Sequence, residues 1–155
     1  TVESPLPDEL VAGYCAIQNM FMSEAPTGES DVEDEVWDEK RLRANEERGR
    51  AGGRRGVTTF AIAPDGEVAA MTELFANESA PHRGIQSGTL VAPGHRGHRL
   101  GLAVKVANQQ ALLGRFPELE FIITGNAAVN THMNAINDRL GFHVVERCLE
   151  VEKAL

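Results

Sequence analysis

The chain has few aromatic residues, little cysteine and no long apolar run. Phe, Trp and Tyr make up 5% of its 155 residues, so a core must come from Leu, Val, Ile, Ala and Met. Cys15 and Cys148 lie far apart without a CxxC pair, and two cysteines make no disulfide framework. A reducing, cytoplasmic compartment is the default expectation. No stretch approaches the roughly 18 apolar residues of a membrane span, so no membrane partner is expected. No internal repeat appears. With 42% hydrophobic and 25% charged residues, 15 Gly and 7 Pro, the composition is that of an ordinary folded chain. Its length predicts one domain over 1–155.

Positive charge is scarce where the chain begins. Residues 1–47 carry 13 acidic and 3 basic side chains, whereas 48–155 carry 10 and 12, giving a net charge of −8. That balance excludes non-specific nucleic-acid binding, which needs clustered Lys and Arg. It suits a cationic partner or simply a solvated acidic helix face.

Leu10, Val11, Tyr14, Ile17, Met20 and Phe21 recur at spacings of three and four, predicting a helix over 8–22. After Ala25-Pro26-Thr27-Gly28, Ser30 or Asp31 would cap a second helix. Its first turns would hold Asp31, Glu33, Asp34 and Glu35, and its apolar side Val32, Val36 and Trp37. The acidic helical region thus covers 8–47. Residues 48–56 read as a basic glycine hinge; with no aromatic platforms beside it, an RNA-binding reading fails. Strands follow at 57–63, 67–75 and 84–92, broken by Pro64-Asp65-Gly66 and a polar stretch. A helix over 99–114 should bury Leu100, Ala103, Val104, Ala107 and Ala111. Leu119 to Thr124 reads as a short strand buried mid-sheet. Asn130 or Thr131 would cap a helix ending at Leu140, with Gly141 as its C′ residue, before a last strand over 143–151. The expected class is α/β, a mixed sheet with helices on both faces.

The informative segment runs from Thr89 to Ala103. A strand stops at Pro93, a loop of glycine and basic residues follows, and a helix begins. A helix N-terminus presents unpaired N–H groups and partial positive charge, which bind phosphate. Gly97 and Gly101 allow close approach, and Arg96 and Arg99 add charge. Neither a Walker A loop nor a GxGxxG fingerprint is present. His95 and His98 have an H-x-x-H look, but no third ligand accompanies them and no metal is expected. His82, His132 and His143 are isolated.

Val91-Ala92-Pro93 followed by Arg96-Gly97-His98-Arg99-Leu100-Gly101 resembles motif A of the GNAT N-acetyltransferase superfamily (84–114 here). Asn126 to Asn130 and Met133 to Phe142, ending Leu140-Gly141-Phe142, resemble its motif B (119–142). The wording around 95–103 and Thr124-Gly125-Asn126-Ala127 is similar to the second domain of actinobacterial-type tandem GNAT proteins. The resemblance implies a mostly antiparallel mixed sheet with a central splay between two parallel strands, helped by a bulge near Gln86 to Thr89. It implies acetyl-CoA, or another acyl-CoA, as cofactor. The backbone of Thr89, Leu90 and Val91 would pair with the pantetheine arm. The amides of Arg96, Gly97, His98, Arg99, Leu100 and Gly101 would hold the pyrophosphate, with Asn130 bonding the pantetheine amides. Val91 N–H would be the oxyanion donor.

Three positions depart from the family pattern. Arg99 replaces the first core glycine, and its N–H faces phosphate only if its backbone is helical. Asn137 stands where a Tyr acid is frequent and could only position the thiol or a water. No carboxylate lies on 84–92, and Gly88 stands where tandem relatives carry Asp; Glu73 on the neighbouring strand is then the nearest general base. Trp37 with Glu33 would floor an acceptor site, or Trp37 is a core anchor. The expected function is acyl transfer to the amine of a cationic small molecule or peptide by direct attack in a ternary complex. The alternative is a non-catalytic GNAT domain that supports a partner domain. A homodimer through the edge of the last strand, or a second GNAT domain, would be the protein partner.

Overall fold

The computed structural model describes residues 1–24 and 36–148. In chain order the elements are β1 (Val2–Glu3), α1 (Asp8–Glu24), α2 (Glu39–Ala51), β2 (Arg54–Ile62), β3 (Val68–Asn77), β4 (Ala80–Val91), α3 (Leu100–Arg115), β5 (Phe121–Ile123) and α4 (Thr131–Arg139). The strands form one sheet in sequential order, antiparallel from β1 to β4 and parallel between β4 and β5. The chain divides into two compact units, Thr1–Thr124 and Gly125–Leu155.

Alternation along the strands sends side chains to opposite faces. Met71 and Phe60, cross-strand partners, pack with Leu6, Val11, Tyr14, Ile17 and Leu42 from the α1–α2 side. Val57 and Leu74, also partners, pack with Leu112 of α3 on the other face. Helices therefore cover both faces, as expected. Each fully buried Leu or Ile contributes about 1.5–3 kcal/mol by leaving water. Gly13 brings α1 close to β3, since a Cβ there would lie 2.4 Å from Val68.

Several boundaries differ from the expected ones. Capping by Ser30 or Asp31, and the acidic turns after it, lie outside the described residues. Val36 and Trp37 precede α2 instead of lining it, because Asp38 is the cap: its Oδ1 accepts from Arg41 N at 2.7 Å. The glycine-rich 48–56 stretch is not a hinge. Helix α2 continues through Ala51, Gly52-Gly53 make the turn with Gly53 at φ 72°, and β2 starts at Arg54. Strand β1 was unforeseen, since two residues carry no periodicity and their pairing with Val57 and Thr58 is long-range. Strand β5 is not mid-sheet among the described residues: it pairs only with β4, and Phe121 is 45% exposed. Residues 143–148 are not a strand, and the rest of the expected 143–151 lies outside the described residues. The dimer edge built on that strand loses its element. In the second unit, Asn130 caps α4 as expected, and Gly141 follows at φ 83°.

Helix α3 turns inward a face offset from the one expected: Val104 is buried and Leu100 and Ala111 half-buried as part of that stripe, but its other members are not. Ala103 and Ala107 are exposed, while Gly101, Val104, Lys105, Asn108 and Leu112 are buried. Asn108 is wholly buried, and its Nδ2 donates to Val57 O at 3.0 Å, Thr59 Oγ1 at 2.9 Å and Thr72 O at 3.4 Å. This one amide ties α3 to β2 and β3. Asn108→Asp should cost about 3 kcal/mol or more in urea unfolding, because a carboxylate would face two carbonyl oxygens.

Burial lowers the Lys105 ammonium from 10.5 to about 8. The unfolded chain keeps that proton to higher pH than the folded one. Stability relative to Lys105→Met should therefore rise as pH climbs from about 8 to about 10.5, by roughly 3 kcal/mol in all. Urea titrations of both proteins at pH 7 and pH 10 measure this; an unchanged difference would contradict it.

Candidate functional site

Strand β4 ends in a turn whose backbone is set residue by residue. Pro93–His95 form one 3-10 turn, with His95 N donating to Ala92 O at 2.9 Å. Arg96 returns to extended geometry, and its Nε donates to Val91 O at 3.2 Å. Gly97 then takes φ 84°, a conformation suited to glycine. A side chain at Gly94 or Gly97 would meet no atom within 4 Å, so the space over the turn is open.

Arg99 is the N-cap of α3 at φ 59°, ψ 20° and makes no side-chain capping bond. The expectation of a helical Arg99 is thereby corrected: it is left-handed, a conformation that costs a side-chain-bearing residue about 1–2 kcal/mol. The first turn of α3, from Leu100 and Gly101, keeps its leading N–H groups without intrahelical partners. Arg96, Gly97, His98 and Arg99 are all exposed around it. His95 Nε2 approaches Glu67 Oε2 at 3.4 Å. Among the described residues no group of three or more His, Cys, Asp or Glu could hold a metal. Arg99→Gly should raise thermal stability by about 1 kcal/mol, read as a melting temperature a few degrees higher.

The strand before this turn is irregular where the resemblance implied. Thr72 pairs with Thr89 and Leu74 with Gln86, so Ser87 and Gly88 together face Glu73 alone. Gln86 holds this bulge from the α3 side: its Nε2 donates to Thr72 Oγ1 at 2.9 Å and Glu73 O at 2.6 Å. Thr72 Oγ1 also lies 2.7 Å from Thr89 Oγ1. Beyond the bulge, Ala92 N donates to Ala69 O, its register partner. Alternation then turns Leu90 toward β3 and the N–H and C=O groups of Thr89 and Val91 toward the opposite edge. Among the described residues no strand pairs with that edge beyond Ile85, and Val91 O accepts from Arg96 Nε while the outward N–H groups of Thr89 and Val91 face no strand. Of the three expected strand residues, two present backbone groups outward and Leu90 does not.

On the α1–α2 side, the bulge opens into a cleft of ≈ 330 Å³. Tyr14, Trp37, Phe75, Glu73, Ser87 and Gly88 are among its lining. Tyr14 Oη donates to Glu73 Oε1 at 3.2 Å and accepts from Gln18 Nε2 at 2.9 Å. Burial pushes the Glu73 carboxyl above the ordinary carboxylate range, while the Tyr14 hydroxyl and the Arg54 guanidinium pull it back in part. Trp37 meets Tyr14 edge-on at 5.7 Å and packs against the core, so anchoring and lining are one role. Tyr14 and Arg54 were not singled out from the sequence as site residues, and Gln86 was named only for the bulge. Tyr14 reads there as one apolar stripe residue, and Arg54 as part of the basic glycine stretch.

The remaining expected residues lie in the second unit. Asn130 Oδ1 accepts from Met133 N at 3.1 Å, so its oxygen serves the α4 cap and its amide N–H groups remain as donors. Asn137 is buried, and its backbone oxygen accepts from Leu140 N and Phe142 N.

The chain is similar to a tandem GNAT protein from the clavulanic acid biosynthesis pathway. The identity is 30% over 90% of this chain and 40% of that one, with a TM-score of 0.70. The chain is a GNAT-fold domain. It spans 40% of the length of that tandem relative. It is also similar to AAC(6')-Iy, solved with a bisubstrate analogue, CoA-S-monomethyl-acetylneamine (15% identity, 99% of this chain and 98% of that one, TM-score 0.65). A third is yncA of Salmonella typhimurium, solved with its cofactor acetyl-CoA (17%, 94% and 80%, TM-score 0.66). At such identities these two speak to the GNAT fold alone. No family model and no curated protein sequence matches the chain.

Proposed function

We infer that this GNAT-fold domain, read as one domain over 1–155, is an acyl-CoA-dependent N-acyltransferase with acetyl as the expected group. One observation carries the reading: the edge of β4 beyond the Ser87–Gly88 bulge starts beside the Glu73 cleft and runs on to the turn that leads into the uncapped start of α3. The residues present fit a CoA thioester. Gly94 and Gly97 leave open space beside the α3 N-terminus, where the amides of Leu100 and Gly101 lead the helix and are suited to a pyrophosphate; Arg99, left-handed, is not counted with them. Thr89 and Val91 offer backbone groups to an extended amide chain. Bound there, acetyl-CoA supplies an activated carbonyl.

This chain's own groups do the rest. Val91 N–H is the donor for developing negative charge on a carbonyl oxygen. Glu73 Oε takes the proton from the acceptor ammonium, and Tyr14 keeps that carboxylate oriented and ionised. Asn137, lacking a useful pKa, positions the thiol or a water. An acceptor amine protonated at neutral pH is the cationic group that the acidic first half favours. The rival reading, a non-catalytic domain supporting a partner GNAT domain, draws on Asn137 in place of a Tyr. Among the described residues no helix is long and apolar enough to cross a membrane, and a reducing cytoplasm suits the free cysteines, Cys15 and Cys148.

Calorimetric titration should give micromolar acetyl-CoA binding, weakened about tenfold or more by Arg96→Glu. Absence of binding to acetyl-CoA and CoA would favour the rival. Glu73→Gln should lower kcat about 100-fold. Glu73 must be ionised to act, so activity should fall as pH drops through its raised pKa. Tyr14→Phe removes a bond to the ionised form and should move that acid limb to higher pH. A limb that stays in place in Tyr14→Phe would exclude Glu73 as the base.

A further inference from the structure

The cleft beside the bulge holds charge of both signs. Four of its lining residues are charged: Glu46, Glu73, Arg50 and Arg54. Two of these are engaged elsewhere. Glu46 accepts from Leu6 N at 2.6 Å and from Arg43 Nη1 at 2.9 Å, and Arg50 pairs with Glu47 at 2.6 Å. Glu73 and Arg54 are left with capacity. Glu73 uses Oε1 for Tyr14, and among the described residues its other oxygen has no hydrogen-bond partner. The Arg54 guanidinium makes one long bond, Nη2 to Asn45 O at 3.3 Å. The two are near enough for Arg54 to favour the ionised carboxyl, yet no ion pair joins them.

Arg54 is held in place on two sides. Its guanidinium lies over the Phe75 ring, 5.1 Å from the centroid. Its other side fills the space at Gly49 of α2, where a Cβ would lie 2.6 Å from Nε and Nη2. Glycine inside a helix costs about 1 kcal/mol relative to alanine, and here that cost makes room for a guanidinium. Arg54 is thus a seated, partly buried cation across an aromatic-lined cleft from an unsaturated carboxylate.

We propose that the acceptor is a primary amine that also carries a carboxylate, its ammonium directed to Glu73 and its carboxylate to Arg54. A guanidinium donates in a planar fork that matches a carboxylate, and charge-assisted bonds of this kind are the strong ones. The inference rests on the acyltransferase reading. It narrows the cationic acceptor expected from the acidic first half to a zwitterion, because a polycation would place charge against Arg54.

Release of free thiol from acetyl-CoA tests it with the intact chain. Glycine, β-alanine, γ-aminobutyrate and ε-aminocaproate would each be compared with the alkylamine and the diamine of matching length. The expected result is a kcat/KM about tenfold or more in favour of one amino acid over its two counterparts. Arg54→Met should abolish that preference through KM, Arg54→Lys should retain part of it, and acetyl-CoA affinity should stay unchanged in both. Gly49→Ala, which displaces the guanidinium without removing it, should raise the same KM. An alkylamine or diamine used equally well or better overturns the inference. So does turnover of no amine by a protein that binds acetyl-CoA. Failure to bind acetyl-CoA instead overturns the acyltransferase reading beneath it.

Discussion

A strand has two hydrogen-bonding edges, and β4 fills one against β3 along most of its length but the other only over Arg83 to Ile85. Just beyond that pairing Ser87 and Gly88 face Glu73 alone, a bulge of the kind that bends a strand and ends regular pairing. An exposed sheet edge invites any extended chain to pair with it. Here it is short and leads to the open start of a helix, an arrangement that suits the proposed ligand with its amide arm and anionic end.

The bulge is maintained by a buried polar belt beneath α3. Gln86, Thr72 and Thr89 bond one another across β3 and β4, and Asn108 reaches from α3 to Thr59 and to Thr72 O. Such groups stabilise little in net terms but are costly to leave unpaired, so they fix one register where apolar side chains would tolerate slippage. Ordinary alternation along β3, between Thr72 and Leu74 on the α3 side, points Glu73 into the cleft on the other face. The edge proposed for the cofactor and the cleft proposed for the acceptor adjoin one irregularity.

The sequence was most legible where local chemistry decides structure. Asn130 and Gly141 delimit α4 because capping is local. The α1 stripe follows from spacing alone, and the turn around Gly97 from its residues. The inner face of α3 was misread because Lys105 and Asn108 look like solvent-facing positions, whereas the neighbouring strands supply acceptors for Asn108 that no local window contains. Arg54 lay hidden in what read as a loose basic hinge; its seat at Gly49 and Phe75 comes from helix, turn and strand together. Glu73 was expected as the nearest carboxylate to a strand that has none, but its partner Tyr14 is distant in sequence.

Amide hydrogen exchange, resolved to single residues, tests most directly whether the bulged edge of β4 receives the cofactor. The account predicts that the N–H groups of Thr89 and Val91 exchange fast in the free protein and become strongly protected with acetyl-CoA, while Leu90, bonded to β3, is slow in both states. Protection of Thr89 and Val91 that is already complete without ligand, or unchanged by saturating acetyl-CoA, would contradict it.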